Sequence, residues 1–240
     1  MDHYIEGRIA GIPYLELNPS NEPIGTVLLY HGWASSIESY SFFASIVSHW
    51  GYKVVIPELP YHGERGTLDY SDNSVLEQYF WNVVLQGVKE VEELTAELSK
   101  TGDKIGIIGH STGGFIAAGA FSKVPSLRAA VVINGSCAWV KFEELLREKI
   151  GREPIPSDRR DTIFKNDPVS QIDFEDNRAL LILHGKEDST VPIESQRYFI
   201  DVMSNRSSGE LHFIEYTGVN HQITLGMLQK SKEWLDAHLG

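Results

Sequence analysis

Cysteine is nearly absent from this chain. Cys137 is the only one in 240 residues, so no internal disulfide can form, which fits a reducing, cytoplasmic setting. Cations are scarce as well: 21 Lys and Arg stand against 33 Asp and Glu, a formal charge of −12. Nucleic acid and anionic membrane surfaces reward basic patches, so neither is expected as a partner. No apolar run is long enough to span a bilayer. The opening Met1-Asp2-His3-Tyr4-Ile5-Glu6 has neither the basic nor the apolar region of a secretory leader. There is no phosphate-cradling glycine loop and no His/Cys ligand cluster, so no cofactor and no metal are expected. The composition is compatible with a monomer or a homodimer.

What is present is an ordinary globular chain, 42% hydrophobic and long enough to bury a sizeable core. Residues 8–10 and 14–17 flank Gly11-Ile12-Pro13 and read as an antiparallel hairpin. Short continuous apolar runs follow at 26–30, 52–57, 104–108, 128–134 and 179–184, with a last strand at 210–216. Such runs mark strands covered on both faces. Between them lie helical patterns at about 39–50, 74–99, 115–121, 193–203 and 222–237. In the first, Phe42, Phe43, Ile46, Val47 and Trp50 stand at helical spacing. The alternation predicts an α/β fold: a mostly parallel sheet of about eight strands with helices on both faces. The whole of 1–240 reads as a single domain.

One stretch breaks the rhythm. Over forty residues separate the strands at 128–134 and 179–184, far more than one crossover needs. An amphipathic helix is expected over 138–150, then a proline-rich charged segment to Arg160, then an irregular piece to Asp173. Residues 137–176 therefore read as an inserted lid.

The chemistry centres on Gly109-His110-Ser111-Thr112-Gly113-Gly114, a sharp turn between a strand and a small-residue helix. Gly-x-Ser-x-Gly in that setting is the pattern of a nucleophile elbow, where side chains at 109 and 113 would crowd the serine. Serine alone is a poor nucleophile and needs an imidazole to take its proton. The imidazole needs a carboxylate to fix its tautomer. In open α/β sheets such groups gather at the carboxyl ends of the strands. Asp188 follows the strand at 179–184, and His221 follows the last strand, giving the order Ser…Asp…His.

Other candidates compete. Glu187 neighbours Asp188, which could instead cap the next helix, and Asp158 and Asp161 lie in the lid. His212 sits within a strand and His238 at the terminus. His31, His110 and His184 stand in strand-to-loop turns, where support of the backbone is the plainer role. An oxyanion hole needs two N–H donors. The amides of Thr112 and of Trp33, in His31-Gly32-Trp33, are the expected pair. The Trp33 ring either walls a substrate pocket or belongs to the core.

Taken together, His31-Gly32-Trp33, Pro60–Gly66, Gly109–Gly113, Asp188 and His221 resemble the α/β-hydrolase superfamily over nearly the whole chain. They are most similar to lidded bacterial esterases of the dienelactone hydrolase and prolyl oligopeptidase-like branch. Ser111 stands where dienelactone hydrolase has cysteine. The resemblance implies that the Pro60–Gly66 loop borders the site, so His62, Glu64 and Arg65 either contact substrate or fix the loop by an internal ion pair. Trp139 and Phe142, with Leu145, Leu146 and Ile150, either face the substrate or pack the lid onto the body.

The expected activity is that of a serine hydrolase cleaving carboxylic esters of small to medium, partly apolar substrates. Amide or thioester cleavage, acyl transfer, and a non-catalytic binding protein of the same fold are the alternatives.

Overall fold

A computed structural model describes residues 4–204, 206 and 210–240. Met1, Asp2 and His3, part of the segment read above for a leader, lie outside the described residues.

The chain opens with β1 (Ile5–Ile9) and β2 (Ile12–Leu17), an antiparallel hairpin. Its turn is Ala10-Gly11, both at positive φ (51° and 83°), not the expected Gly11-Ile12-Pro13. Two left-handed residues match the twist of the flanking strands, and Pro13 is left to pair opposite Arg8 within β2.

The remaining strands are β3 (Thr26–Tyr30), β4 (Lys53–Pro57), β5 (Ile105–His110), β6 (Leu127–Ile133), β7 (Ala179–Gly185) and β8 (Glu210–Tyr216). Their order across the sheet is β1-β2-β4-β3-β5-β6-β7-β8. β2 meets β4 antiparallel, and every pairing from β4 to β8 is parallel. Parallel strands must be joined by crossovers, which bring helices onto both faces.

Those helices are α1 (Ser41–His49), α2 (Asn73–Leu98), α3 (Thr112–Lys123), α4 (Trp139–Lys149), α5 (Ser157–Phe164), α6 (Pro168–Gln171), α7 (Glu194–Ser204) and α8 (Leu225–His238). Alternate residues of one strand feed opposite cores. Leu28 and Tyr30 of β3 pack with Val84 and Val88 of α2 and Phe115 of α3. Val27 and Leu29 pack with Val47 of α1 and Leu235 of α8. The central strands are buried on both sides, which is why they read as unbroken apolar runs.

Two expectations need correction. Phe42 is 76% exposed, because the buried arc of α1 is Phe43, Ala44 and Val47, and Phe42 lies about a quarter-turn away. The stretch Asp161–Asp173 is not irregular: it holds the end of α5 and all of α6.

Residues 137–176 are anchored firmly at their start. Trp139 is fully buried, donates its indole N–H to the Ser136 carbonyl (3.0 Å) and lies over Gly119 of α3. A Cβ at Gly119 would come within 2.6 Å of that ring. The backbone N–H groups of Trp139 and Val140, unsatisfied at a helix start, donate to the two oxygens of buried Asp167 (2.9 Å each). Burial pushes the Asp167 carboxyl above the usual range, and these donors pull it back.

Candidate active site

β5 delivers Ser111 to the carboxyl end of the sheet. The residue is strained, with φ 56° and ψ −121°. For a residue bearing a Cβ this is a sparsely populated conformation. It is held by Ser111 N–H donating to the Ile133 carbonyl (3.0 Å), and by the Ser111 carbonyl accepting from Gly114 and Phe115 (2.8 and 3.2 Å). The flanking glycines are sterically required: a Cβ on Gly109 would lie 1.9 Å from the Gly113 carbonyl oxygen, and one on Gly113 would lie 2.2 Å from that of Tyr30.

His221, in the loop after β8, accepts or donates at two atoms. Its Nε2 is 2.8 Å from Ser111 Oγ and its Nδ1 is 2.8 Å from Asp188 Oδ2. A carboxylate beside Nδ1 favours the tautomer with the proton there, which leaves Nε2 to accept a hydrogen bond from the Ser111 hydroxyl. Asp188 does not cap α7 itself, the alternative weighed for it, but holds the turn that leads into that helix. Its Oδ1 accepts from the N–H groups of Thr190 and Val191 (2.8 Å each), capping the turn before α7. Burial alone would raise this carboxyl, yet contacts from His184 and His221 and the Val191 N–H hold it far below the usual range. Asp188 is thus a fixed anion behind the imidazole.

Glu187, the reserve acid, points elsewhere. It accepts from the N–H groups of Gly218 and Val219 (2.8 and 3.1 Å) and ties down the loop that carries His221. Two asparagines, which the sequence reading passed over, complete this bracing. Asn134 accepts from Gly185 N–H (3.0 Å) and donates to the Gln222 carbonyl (3.1 Å), joining the ends of β6 and β7 to the loop beyond β8. Asn220 accepts from the N–H groups of Ser189 and His221 (2.8 Å each). The Asn134-Gly135 pair at a strand end was the available signal for the first.

The ring of His110 lies against that of His221, with centroids 5.2 Å apart, and its Nδ1 is 2.7 Å from the Tyr40 hydroxyl. Burial, then the neighbouring His221, lowers its pKa to about 3, so it stays neutral. His110 and Tyr40 therefore form a wall behind His221, a side-chain contact rather than the backbone support expected. His31 is likewise buried, with its pKa lowered to about 4 chiefly by desolvation, and its Nδ1 is 2.9 Å from the Gly32 carbonyl, the backbone contact expected. His184 meets backbone as well, with Nε2 3.0 Å from the Val191 carbonyl.

Thr112 is the first residue of α3, so its N–H has no acceptor within the helix and lies at the positive end of the helix dipole. The loop after β3 comes up against the serine: a Cβ on Gly32 would sit 3.3 Å from Ser111 Cβ. Trp33 follows it, with its indole N–H donating to the Tyr70 carbonyl (3.2 Å).

A cavity of about 500 Å³ opens beside Ser111. Trp33, Leu76, Phe80 and Phe115 line it, together with Phe142, Leu146 and Ile150, one face of α4 and its end. Asn73, Glu77, Glu143, Arg147 and Arg152 add a polar wall.

Four tentative substrate contacts lie elsewhere. Trp139, the first residue of α4, is fully buried against α3. His62 is buried with its ring nitrogens on the Pro60 carbonyl (2.9 Å) and the Trp33 carbonyl, bracing the Trp33 loop. Glu64 pairs with Arg8 at the surface. Arg65 pairs with Glu90 and donates to the Glu58 carbonyl (2.7 Å). The Pro60–Gly66 loop is therefore fixed internally, because its charges find partners on β1 and α2 before they reach the cavity. Among the described residues, no group of three or more His, Cys, Asp or Glu is arranged to hold a metal ion, and no helix is long and apolar enough to cross a membrane.

A family model described as the prolyl oligopeptidase family matches residues 38–240. The chain is 27% identical over 249 aligned residues to "Esterase YjfP" of Escherichia coli (strain K12), covering 98% of this chain and 99% of that protein. In structure it is similar to TT1662 from Thermus thermophilus, with a TM-score of 0.80 at 20% identity, covering 99% of this chain and 98% of that one. It is also similar to a "Putative Dienelactone Hydrolase" from Klebsiella pneumoniae, with a TM-score of 0.75 at 17% identity, covering 99% of this chain and all of the other. At these identities the two structures speak for the α/β-hydrolase fold.

Proposed function

We propose that this chain, which belongs to the prolyl oligopeptidase family and is a serine hydrolase, cleaves carboxylic esters through an acyl-enzyme formed on Ser111. The observation that carries the reading is the relay of two 2.8 Å contacts from Asp188 through His221 to Ser111 Oγ. In this scheme His221 Nε2 takes the hydroxyl proton as Ser111 Oγ attacks the ester carbonyl. Asp188 stabilises the imidazolium that results. The N–H groups of Trp33 and Thr112 receive the oxyanion, the second at a helix N-terminus. Collapse of the tetrahedral adduct breaks the bond to the alkoxy oxygen, which leaves as the alcohol with the proton held by His221. A water, deprotonated by His221, then attacks the acyl carbonyl, and the bond to Ser111 Oγ breaks as His221 returns the proton to that oxygen, releasing the acid.

The apolar cavity wall supports a small or medium, partly apolar substrate. Residues 137–176 act as the lid through α4, whose Phe142 and Leu146 face that cavity. Active-site labelling tests the reading. A fluorophosphonate is expected to modify the wild-type protein and not Ser111→Ala, and Ser111→Ala and His221→Ala are each expected to lose roughly four orders of magnitude or more in kcat on a nitrophenyl ester, with Tm retained. A wild-type protein that takes no label and turns over no ester overturns it.

A further inference from the structure

The polar wall of the cavity sets two arginines against two glutamates, in a chain with a large excess of acid. Glu77 of α2 is gripped from two sides. Arg147 Nη2 is 2.9 Å from its Oε1 and Arg152 Nη1 is 2.8 Å from its Oε2, with Arg159 3.8 Å from Oε1. Glu143 is equally occupied: its Oε1 accepts from Arg147 Nε (2.8 Å) and its Oε2 from the Trp81 indole N–H (3.0 Å). Arg147 spends its last group on the Glu153 carbonyl (3.0 Å) and is buried. Each of the four carboxylate oxygens is thus engaged by a donor: two guanidiniums and two carboxylates line the cavity, and Arg159 approaches Glu77 from outside that lining.

Arg152 differs from Arg147. Its side chain is about one-third exposed. A guanidinium has five N–H donors, and one contact to Glu77 leaves it capacity for a second, bidentate partner. The hydrogen-bonding capacity left on this wall is therefore donor capacity, carried by a guanidinium that lines the same cavity as Ser111.

From this we infer that the substrate is an acidic ester, one that carries a carboxylate in addition to the ester group, and that Arg152 is the residue that selects it. The inference rests on the esterase reading above. The apolar faces of Phe80, Phe142 and Leu146 hold the chain between the two groups. Arg147 and Glu77 position Arg152 without themselves meeting substrate.

The test compares monomethyl esters of five- to eight-carbon dicarboxylic acids with methyl esters of monocarboxylic acids of equal length. Wild-type protein is expected to favour the acidic member at the optimal length by about tenfold or more in kcat/KM, the range of a hydrogen bond to a charged group. Arg152→Gln is expected to bring that ratio near one, chiefly through KM, and Arg152→Lys to restore part of it. High salt is expected to shrink the wild-type ratio. A wild-type ratio of one or below, or a ratio that survives in Arg152→Gln, overturns the inference. Binding of free adipate, measured by calorimetry, separates this from failure of the esterase reading. If fluorophosphonate leaves Ser111 unlabelled, adipate binding that is lost in Arg152→Gln still supports the anion site, and no adipate binding to wild type removes it.

Discussion

At Asp188 a single carboxylate serves two structures at once, one oxygen on the turn before α7 and the other on His221. Its neighbour Glu187 has equal charge and a longer reach, yet its oxygen is committed to the N–H groups of Gly218 and Val219. Substitution separates the two. Asp188→Asn is expected to lower kcat by about two to four orders of magnitude, since an amide neither fixes the productive tautomer nor stabilises the imidazolium. Glu187→Gln is expected to keep kcat within a few fold while lowering stability by about 1–2 kcal/mol through weakened loop contacts. Steady-state kinetics and urea unfolding of both variants check this, and the reverse pattern would move the acid to Glu187. Ser111, Asp188 and His221 were legible because each follows a recognisable strand in a fixed order. Asn134 showed only as an Asn-Gly pair at a strand end and Asn220 not at all, because a bracing amide is recognised by the loops it joins, and those loops meet only in the folded chain.

Among the elements, α4 carries the contrast between core and cavity. Its first turn is core, with Trp139 over Gly119, and its later turns present Phe142 and Leu146 to the cavity. Helical spacing showed that these side chains share a face. It did not show that Trp139 lies below the cavity and Phe142 beside it, a distinction that depends on where α3 and α2 stand. Asp167 holds the first turn in place across nearly thirty residues of sequence. Asp167→Ala is expected to cost about 1–3 kcal/mol, because it strands two buried N–H donors. Amide exchange at Trp139 and Val140 is expected to quicken with it, and exchange unchanged at those amides would remove Asp167 as the anchor. The Pro60–Gly66 loop carries the same lesson in reverse. Its charged residues left substrate contact and an internal ion pair equally open in sequence, and Glu90 and Arg8 claim them in the fold.

The molecule as a whole gathers buried neutral histidines around the site, and this sets its response to acid. His31 and His110 titrate near 4 and 3 in the folded state, mainly through burial, against about 6.5 when unfolded. Between pH 6.5 and 4 the unfolded chain therefore binds more protons than the folded one, so stability falls as pH falls. The slope from these two groups reaches at most about 2.7 kcal/mol per pH unit. Asp188, depressed by its partners, contributes stability that is present above about pH 4 and lost below it. Urea midpoints measured from pH 7 to pH 4 are expected to drop, and the double variant His31→Gln/His110→Gln is expected to show a shallower slope. An equal slope in wild type and variant would contradict the assignment.

By itself the sequence determined the layered α/β fold, the sharp turn at Ser111 and the order of its partners. Those depend on local rules: apolar runs for strands covered on both faces, glycines where a Cβ has no room, and loops that end parallel strands on one side. Only the tertiary structure decided that His62, Glu64 and Arg65 are spent internally, that Trp139 is core, and that Glu77, Arg147 and Arg152 meet beside Ser111. Side chains some seventy residues apart acquire a shared role only when packing brings α2 and α4 together, and local pattern carries no record of that encounter.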